Sequence, residues 1–63
     1  MTKEEKIDYI DSCRKKHNHS ESIEGIVSRT LTMYGKVTLS SLSGFEVEDL
    51  YSLIYIFDNP LKP

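Results

Sequence analysis

Apolar residues recur along most of this chain at helical spacing, with no sustained strand-like alternation. The clearest run is Ile23, Ile26, Val27, Thr30, Leu31 and Tyr34, with Gly25, Ser28, Arg29 and Thr32 opposite. Ser20 or Ser22 caps this run, and Gly35 stands where a C′ residue stops a helix, so a helix is predicted over 21–34. Upstream, Thr2-Lys3-Glu4-Glu5 has the capping-box form, with Thr2 as N-cap and Glu5 at N3. Glu4 and Glu5 in the first turn and Arg14, Lys15 and Lys16 in the last complement the helix dipole, predicting a helix over 3–16. Its apolar positions, Ile7, Tyr9, Ile10 and Cys13, form a thin stripe, which predicts a helix that leans on the others rather than founding the core.

The third helix is predicted over 46–57. Val47, Leu50, Leu53, Ile54 and Phe57 share one broad face, expected to pack on the second helix. Asp58-Asn59-Pro60 ends it, because proline disfavours helix in the residue before it, and residues 58–63 read as a tail. Between the second and third helices, Val37-Thr38-Leu39 has no second strand to pair with. A short helical turn over 39–43, closed by Gly44, is predicted instead. The pattern describes a single all-α domain over 1–63, a small bundle of three main helices with a short extra helical turn before the last. Short connections favour an antiparallel hairpin of the first two helices with the third packed across them. The expected core is Ile23, Ile26, Val27, Leu31, Tyr34, Leu50, Leu53, Ile54 and Phe57.

Composition narrows the function. A chain of 63 residues is marginally stable alone and usually needs a staple or a partner. Cys13 is the sole cysteine, so no internal disulfide can form, and a single thiol fits a reducing, cytoplasmic setting. The start, Met-Thr-Lys-Glu-Glu-Lys, lacks the apolar stretch of a signal peptide, and no apolar run is long enough to span a bilayer. Net charge is −2, which gives no general drive toward nucleic acid. Ala, Gln and Trp are absent. The lack of Ala, the best helix former, from a helical chain fits an AT-rich genome and a phage or mobile-element origin.

Thr38 to Ile54 loosely resembles a helix-turn-helix, with Leu39, Phe45, Leu50 and Leu53 as packing positions and Gly44 in the turn. The resemblance implies a small dimeric DNA-associated regulator. Ser43 departs from it by standing where an apolar residue belongs. The would-be recognition helix also carries Glu46, Glu48 and Asp49 and no Lys or Arg, which repels phosphates. The motif is therefore degenerate.

Other chemistry finds little support. Cys13 and His17 are four apart, with His19 nearby, but a structural zinc needs four ligands and usually a second close pair. Arg14-Lys15-Lys16-His17 reads as a solvated helix end, with His17 meeting the free carbonyls there. No Ser lies in a nucleophile elbow and no glycine-rich loop cradles phosphate. We expect no catalytic site, cofactor, metal or small-molecule substrate.

What remains is the third helix, too apolar to show one whole side to water. Tyr51 and Tyr55 flank its apolar face on one side and Ile56 on the other, and the thin first helix cannot cover all three. Tyrosine is enriched in interface hot spots because it offers area and a hydrogen-bonding tip. Tyr51, Tyr55 and Ile56, rimmed by Glu48 and Asp49, are the candidate partner-binding residues. The reading is a small regulator or inhibitor that docks on a larger protein. A structural subunit of a homo-oligomer, using the same patch on itself, is the third alternative. Because no metal is expected, chelation with EDTA should leave the far-ultraviolet circular dichroism unchanged. One zinc bound per chain and lost on Cys13→Ser would sink that expectation.

Overall fold

The structure is a computed structural model that describes residues 1–60. The expected tail residues at 61–63 lie outside the described part. Three helices run over Lys3–Lys16 (α1), Glu21–Met33 (α2) and Gly44–Asp58 (α3), with a 3₁₀ turn at Leu39–Ser41 before the last. This is the all-α bundle the periodicity predicts.

The ends of the helices are set by local chemistry. Thr2 and Glu5 form the expected capping box on α1, with Glu5 N donating to Thr2 Oγ1 at 3.2 Å and Thr2 N to Glu5 Oε1 at 2.8 Å. Ser20 is the N-cap of α2, accepting from Ile23 N. Both α1 and α2 then finish in the same way. Asn18 N donates to Lys15 O at 3.0 Å and His19 N to Arg14 O at 2.8 Å, and Gly35 N donates to Thr32 O at 3.1 Å and Lys36 N to Leu31 O at 2.8 Å. These are paired Schellman bonds, which need a left-handed residue at C′. Gly35 supplies it with φ 65°, as predicted, and Asn18 supplies it with φ 52°. Asn is the non-glycine residue that reaches this region most readily. Thus α1 can stop without glycine and hand over to Ser20 in three residues.

The start of α3 differs from expectation. Gly44 does not close the preceding turn but is the first residue of the helix. Ser43 and Glu46 make a second capping box, with Glu46 N donating to Ser43 Oγ at 3.2 Å and Ser43 N to Glu46 Oε1 at 2.8 Å. The helix also runs one residue further than predicted, so Asp58 belongs to its last turn and Asn59 caps it rather than starting a tail.

The helices pair differently as well. Lys3 Nζ donates to Ser40 O, Lys6 pairs with Glu48, the Tyr9 ring meets Tyr51 and the His17 ring meets Phe57. The order of these contacts makes α1 and α3 parallel. Arg14–Glu24 at one end and Tyr34–Asp49 at the other make α2 antiparallel to both. The pairing of α3 with α1 is more extensive than that with α2. The first helix therefore founds the core instead of leaning on it. Ile10 is fully buried and Cys13 nearly so, beside Ile23, Val27, Leu39, Leu42, Val47, Leu50 and Ile54. Ile26, Leu31, Tyr34 and Phe57 pack half-buried around them.

Leu53 is the expected core residue that the structure rejects, at 45% exposed. Turning α3 toward α1 carries Tyr51 inward over Tyr9 and swings Leu53 out. Two of the four packing positions of the degenerate helix-turn-helix, Phe45 and Leu53, face water for this reason. The buried polar residue, Thr30, is satisfied by its own helix, its hydroxyl donating to Ile26 O at 3.0 Å. From this packing we expect Leu50→Ala to cost about 2–5 kcal/mol and Leu53→Ala less than about 1 kcal/mol in urea unfolding. Equal costs at the two positions would overturn the observed rotation of α3.

Candidate functional site

The outer surface of α3 is built by the same rotation. Val47, Leu50 and Ile54 point into the core, so residues on the far side of the helix have nothing above them. Phe45 is 78% exposed, Ile56 63% and Tyr55 48%. Leu53 opens onto a shallow apolar depression shared with Ile26 and Met33 of α2. A second depression lies toward α1 and is lined by Tyr51, Ser52, Tyr55 and Ile56.

The sequence-derived candidates thus separate into three settings. Tyr51, Tyr55 and Ile56 do come together, around that second depression. Tyr51 is half-buried, its ring set edge-on to Tyr9 at 5.3 Å between centroids, and Tyr55 stands 6.0 Å from Tyr51. Glu48 is exposed on the α1 side, where Lys6 Nζ donates to its carboxylate. Asp49 lies on the α2 side, where its Oδ2 accepts from Tyr34 Oη at 2.9 Å, and the carboxylate holds that phenol above its usual range. The two acids are occupied within the chain and do not form a common rim.

A polar cluster at the far end of α3 holds this surface in place. Asp58, with a side chain only 9% exposed, accepts from Lys16 Nζ at 3.0 Å, and its Oδ1 lies 2.9 Å from His17 Nε2. Its other oxygen accepts from Tyr9 Oη at 3.1 Å, and Asn59 Nδ2 reaches the same phenol at 3.2 Å. Bonds from His17 and then Lys16 pull the Asp58 carboxyl down to about 2. Burial first, then the bonding to Cys13 and Asp58, pushes the Tyr9 phenol well above its ordinary range. Tyr9 is the link to the outer surface, since its ring supports both Tyr51 and Tyr55 from below.

The His17 ring therefore reaches across to α3, and only its backbone N–H bonds a carbonyl of its own helix, Cys13 O at 3.0 Å. The basic run is likewise not a simply solvated helix end. Arg14 Nε and Nη2 hold Glu24 bidentately at 2.8 Å, Lys16 is on Asp58, and Lys15 stays exposed. Cys13, His17 and His19 point to different places. Cys13 is in the core, with burial pushing its thiol up, and His19 faces Glu24. Among the described residues, no three His, Cys, Asp or Glu side chains gather at a point suited to a metal ion, and no helix is long and apolar enough to cross a membrane.

Sequence reasoning missed Tyr9, Asp58, Phe45 and Leu53. Phe45 and Ile56 carried a usable signal, since both fall opposite the Val47-Leu50-Ile54 face at helical spacing. Asp58 carried none, because its partners come from a helix more than forty residues away in sequence. No protein-family model, curated protein or solved structure matches this chain.

The Asp58 cluster gives the fold an acid dependence of known sign. A carboxyl near 2 in the folded chain and about 3.9 in the unfolded one binds more protons when unfolded between those values. Its stabilisation is complete above about pH 4 and is lost as pH falls toward 2. Glu24, held low by the Arg14 fork, acts in the same direction. We expect the melting temperature to fall over this interval, and Asp58→Asn to lower it at neutral pH while flattening the acid slope. An acid slope unchanged by Asp58→Asn would remove Asp58 as the cause.

Proposed function

We propose that this chain is a small regulator or inhibitor that acts by docking on a larger protein through the outer face of α3. One observation carries the reading. Phe45 and Ile56 stand largely in water, and Leu53 and Tyr55 nearly half so, on a single helix of a chain that has few apolar residues to spare. Scattered exposed apolar residues are ordinary, but Leu53, Tyr55 and Ile56 stand within one turn of the same helix, and such grouping supports a contact surface. The expected partner presents an apolar groove that takes an amphipathic helix, with Tyr55 and Ile56 as the anchors. A cytoplasmic setting, inferred from the lone thiol, and a phage or mobile-element origin belong to the same reading.

DNA association ranks below it. The outward face of α3 carries no Lys or Arg, and the cations of α1 nearest it are taken by Glu48 and Asp58. Catalysis is not part of the proposal.

The test uses Tyr55→Ser with Ile56→Ser, because both are exposed whereas Tyr51 is half-buried against Tyr9. Wild type and the double variant are used in parallel to capture proteins from source cells, and the species lost with the variant is purified and titrated by calorimetry. We expect at least tenfold weaker binding with helicity retained. Equal affinity, or binding abolished only by changes elsewhere on the surface, would overturn the reading.

A further inference from the structure

Most cations among the described residues have a use within the fold. Lys6 pairs with Glu48, Arg14 with Glu24 and Lys16 with Asp58, and Lys3 donates to Ser40 O. Lys15 lies in the last turn of α1 and Lys36 just past the end of α2, where helix carbonyls favour positive charge. Arg29 has neither explanation. It precedes the last turn of α2, and the residues three and four places away are Gly25, Ile26, Thr32 and Met33, none of them acidic. Among the described residues it makes no ion pair.

This exposed base stands beside apolar surface. Arg29 lines the depression between α2 and α3 together with Ile26, Thr30, Met33 and Leu53. Met33 is 63% exposed, and methionine adapts its shape to what it meets. The depression holds about 250 Å³ and is shallow, less than the roughly 300 Å³ at which small-molecule pockets begin. It suits a side chain held in place by the rest of a polypeptide better than a free ligand.

We infer that this patch takes a protein segment in which an aliphatic or aromatic side chain stands close to a carboxylate. The apolar side chain enters the depression over Met33 and Leu53, and the carboxylate lies on the Arg29 guanidinium. The inference rests on the docking reading above and names the chemistry of the partner at the α2 edge of that contact. A guanidinium suits the task because its planar fork takes both oxygens of a carboxylate. Apolar surroundings that exclude water strengthen the pair. The charges also set a direction. Because α2 and α3 are antiparallel, Asp49 lies at the Met33 end of the depression, one turn before Leu53, with its Oδ2 bonded to Tyr34 Oη. Arg29 lies one turn, about 6 Å, before Met33. An incoming carboxylate is drawn to the Arg29 end and repelled from the Asp49 end, so the segment docks in one orientation. Tyr51, Tyr55 and Ile56 line the other flank of α3, which lets the two contacts be varied separately.

Selection of random peptides displayed on phage against the immobilised full chain tests the inference without the natural partner. We expect the retained peptides to place Asp or Glu within one helical turn of Leu, Ile, Met or Phe. The strongest of them, made synthetically, should shift the amide resonances of Ile26, Arg29, Met33 and Leu53. It should bind Arg29→Glu about tenfold more weakly, and changing its acid to Lys should restore the affinity for that variant. Arg29→Met keeps an apolar stem and removes the charge, so it should weaken binding and flatten the dependence on salt. Position 29 is exposed, so both variants should keep the circular dichroism of the wild type. Four results would each overturn the inference: no peptide retained, retained peptides without acid, Arg29→Met binding as tightly as wild type, or shifts confined to Tyr51, Tyr55 and Ile56. A natural partner lost with Tyr55→Ser and Ile56→Ser but indifferent to Arg29→Glu would remove the acidic contact and leave the docking reading standing.

Discussion

Parallel helices place like poles of their dipoles at the same end, and α1 and α3 do so here. The arrangement needs compensation at both ends. At the N-terminal end each helix brings its own, since Thr2–Glu5 and Ser43–Glu46 are capping boxes that put a carboxylate on the exposed amides. The C-terminal end is uneven. The last turn of α1 holds Arg14, Lys15 and Lys16, whereas α3 has no base there and ends on Asp58, the wrong sign for its own dipole. Lys16 and His17 reach across from α1 to cover it. One helix thereby supplies the terminal cations for two. This clamp, with Lys6–Glu48 nearer the start, fixes how far along α1 the last helix sits.

It also fixes the rotation of α3. Asp58 binds the Tyr9 hydroxyl, and the Tyr9 ring occupies the space beneath Tyr51. With Tyr51 drawn over Tyr9, helical spacing leaves Leu53 on the open side. Lys6–Glu48 and Lys16–Asp58 each have one exposed partner and add little to net stability, and burial of Ile10, Ile23, Leu42, Leu50 and Ile54 supplies the energy. The polar contacts choose among the ways in which that burial can be achieved. The candidate binding surface is thus a product of the clamp at the opposite end of the tyrosine cluster.

Local signals in the chain were legible, and cross-chain ones were not. Thr2-x-x-Glu5 and Gly35 announce their helix ends because the cap and its partner lie within four residues. Ser43-x-x-Glu46 carries the same signal, but Gly44 inside it reads as a breaker, and the two cues conflict. Leu39 and Leu42 are buried by a turn too short to show any periodicity. The first helix reads as weak because Ile10 and Cys13 are few, yet they sit at the centre of the contact with α3, and position outweighs number. For the candidate site, Tyr55 and Ile56 were visible as surplus to any one face of the helix. Leu53 was not, because its exposure depends on which neighbour α3 chooses, and that choice rests on Asp58, His17 and Tyr9.

A chain of this size has little freedom to place apolar residues idly. Burying Phe45 or Ile56 would require a fourth element above α3, and the connection between α2 and α3 spends its two leucines beneath it instead. Replacing either residue by a polar one would leave the core unchanged and make the surface easier to keep in solution. The isolated fold therefore does not require the outer face of α3 to be apolar, and on the reading proposed above that apolar character is what a partner surface would take up.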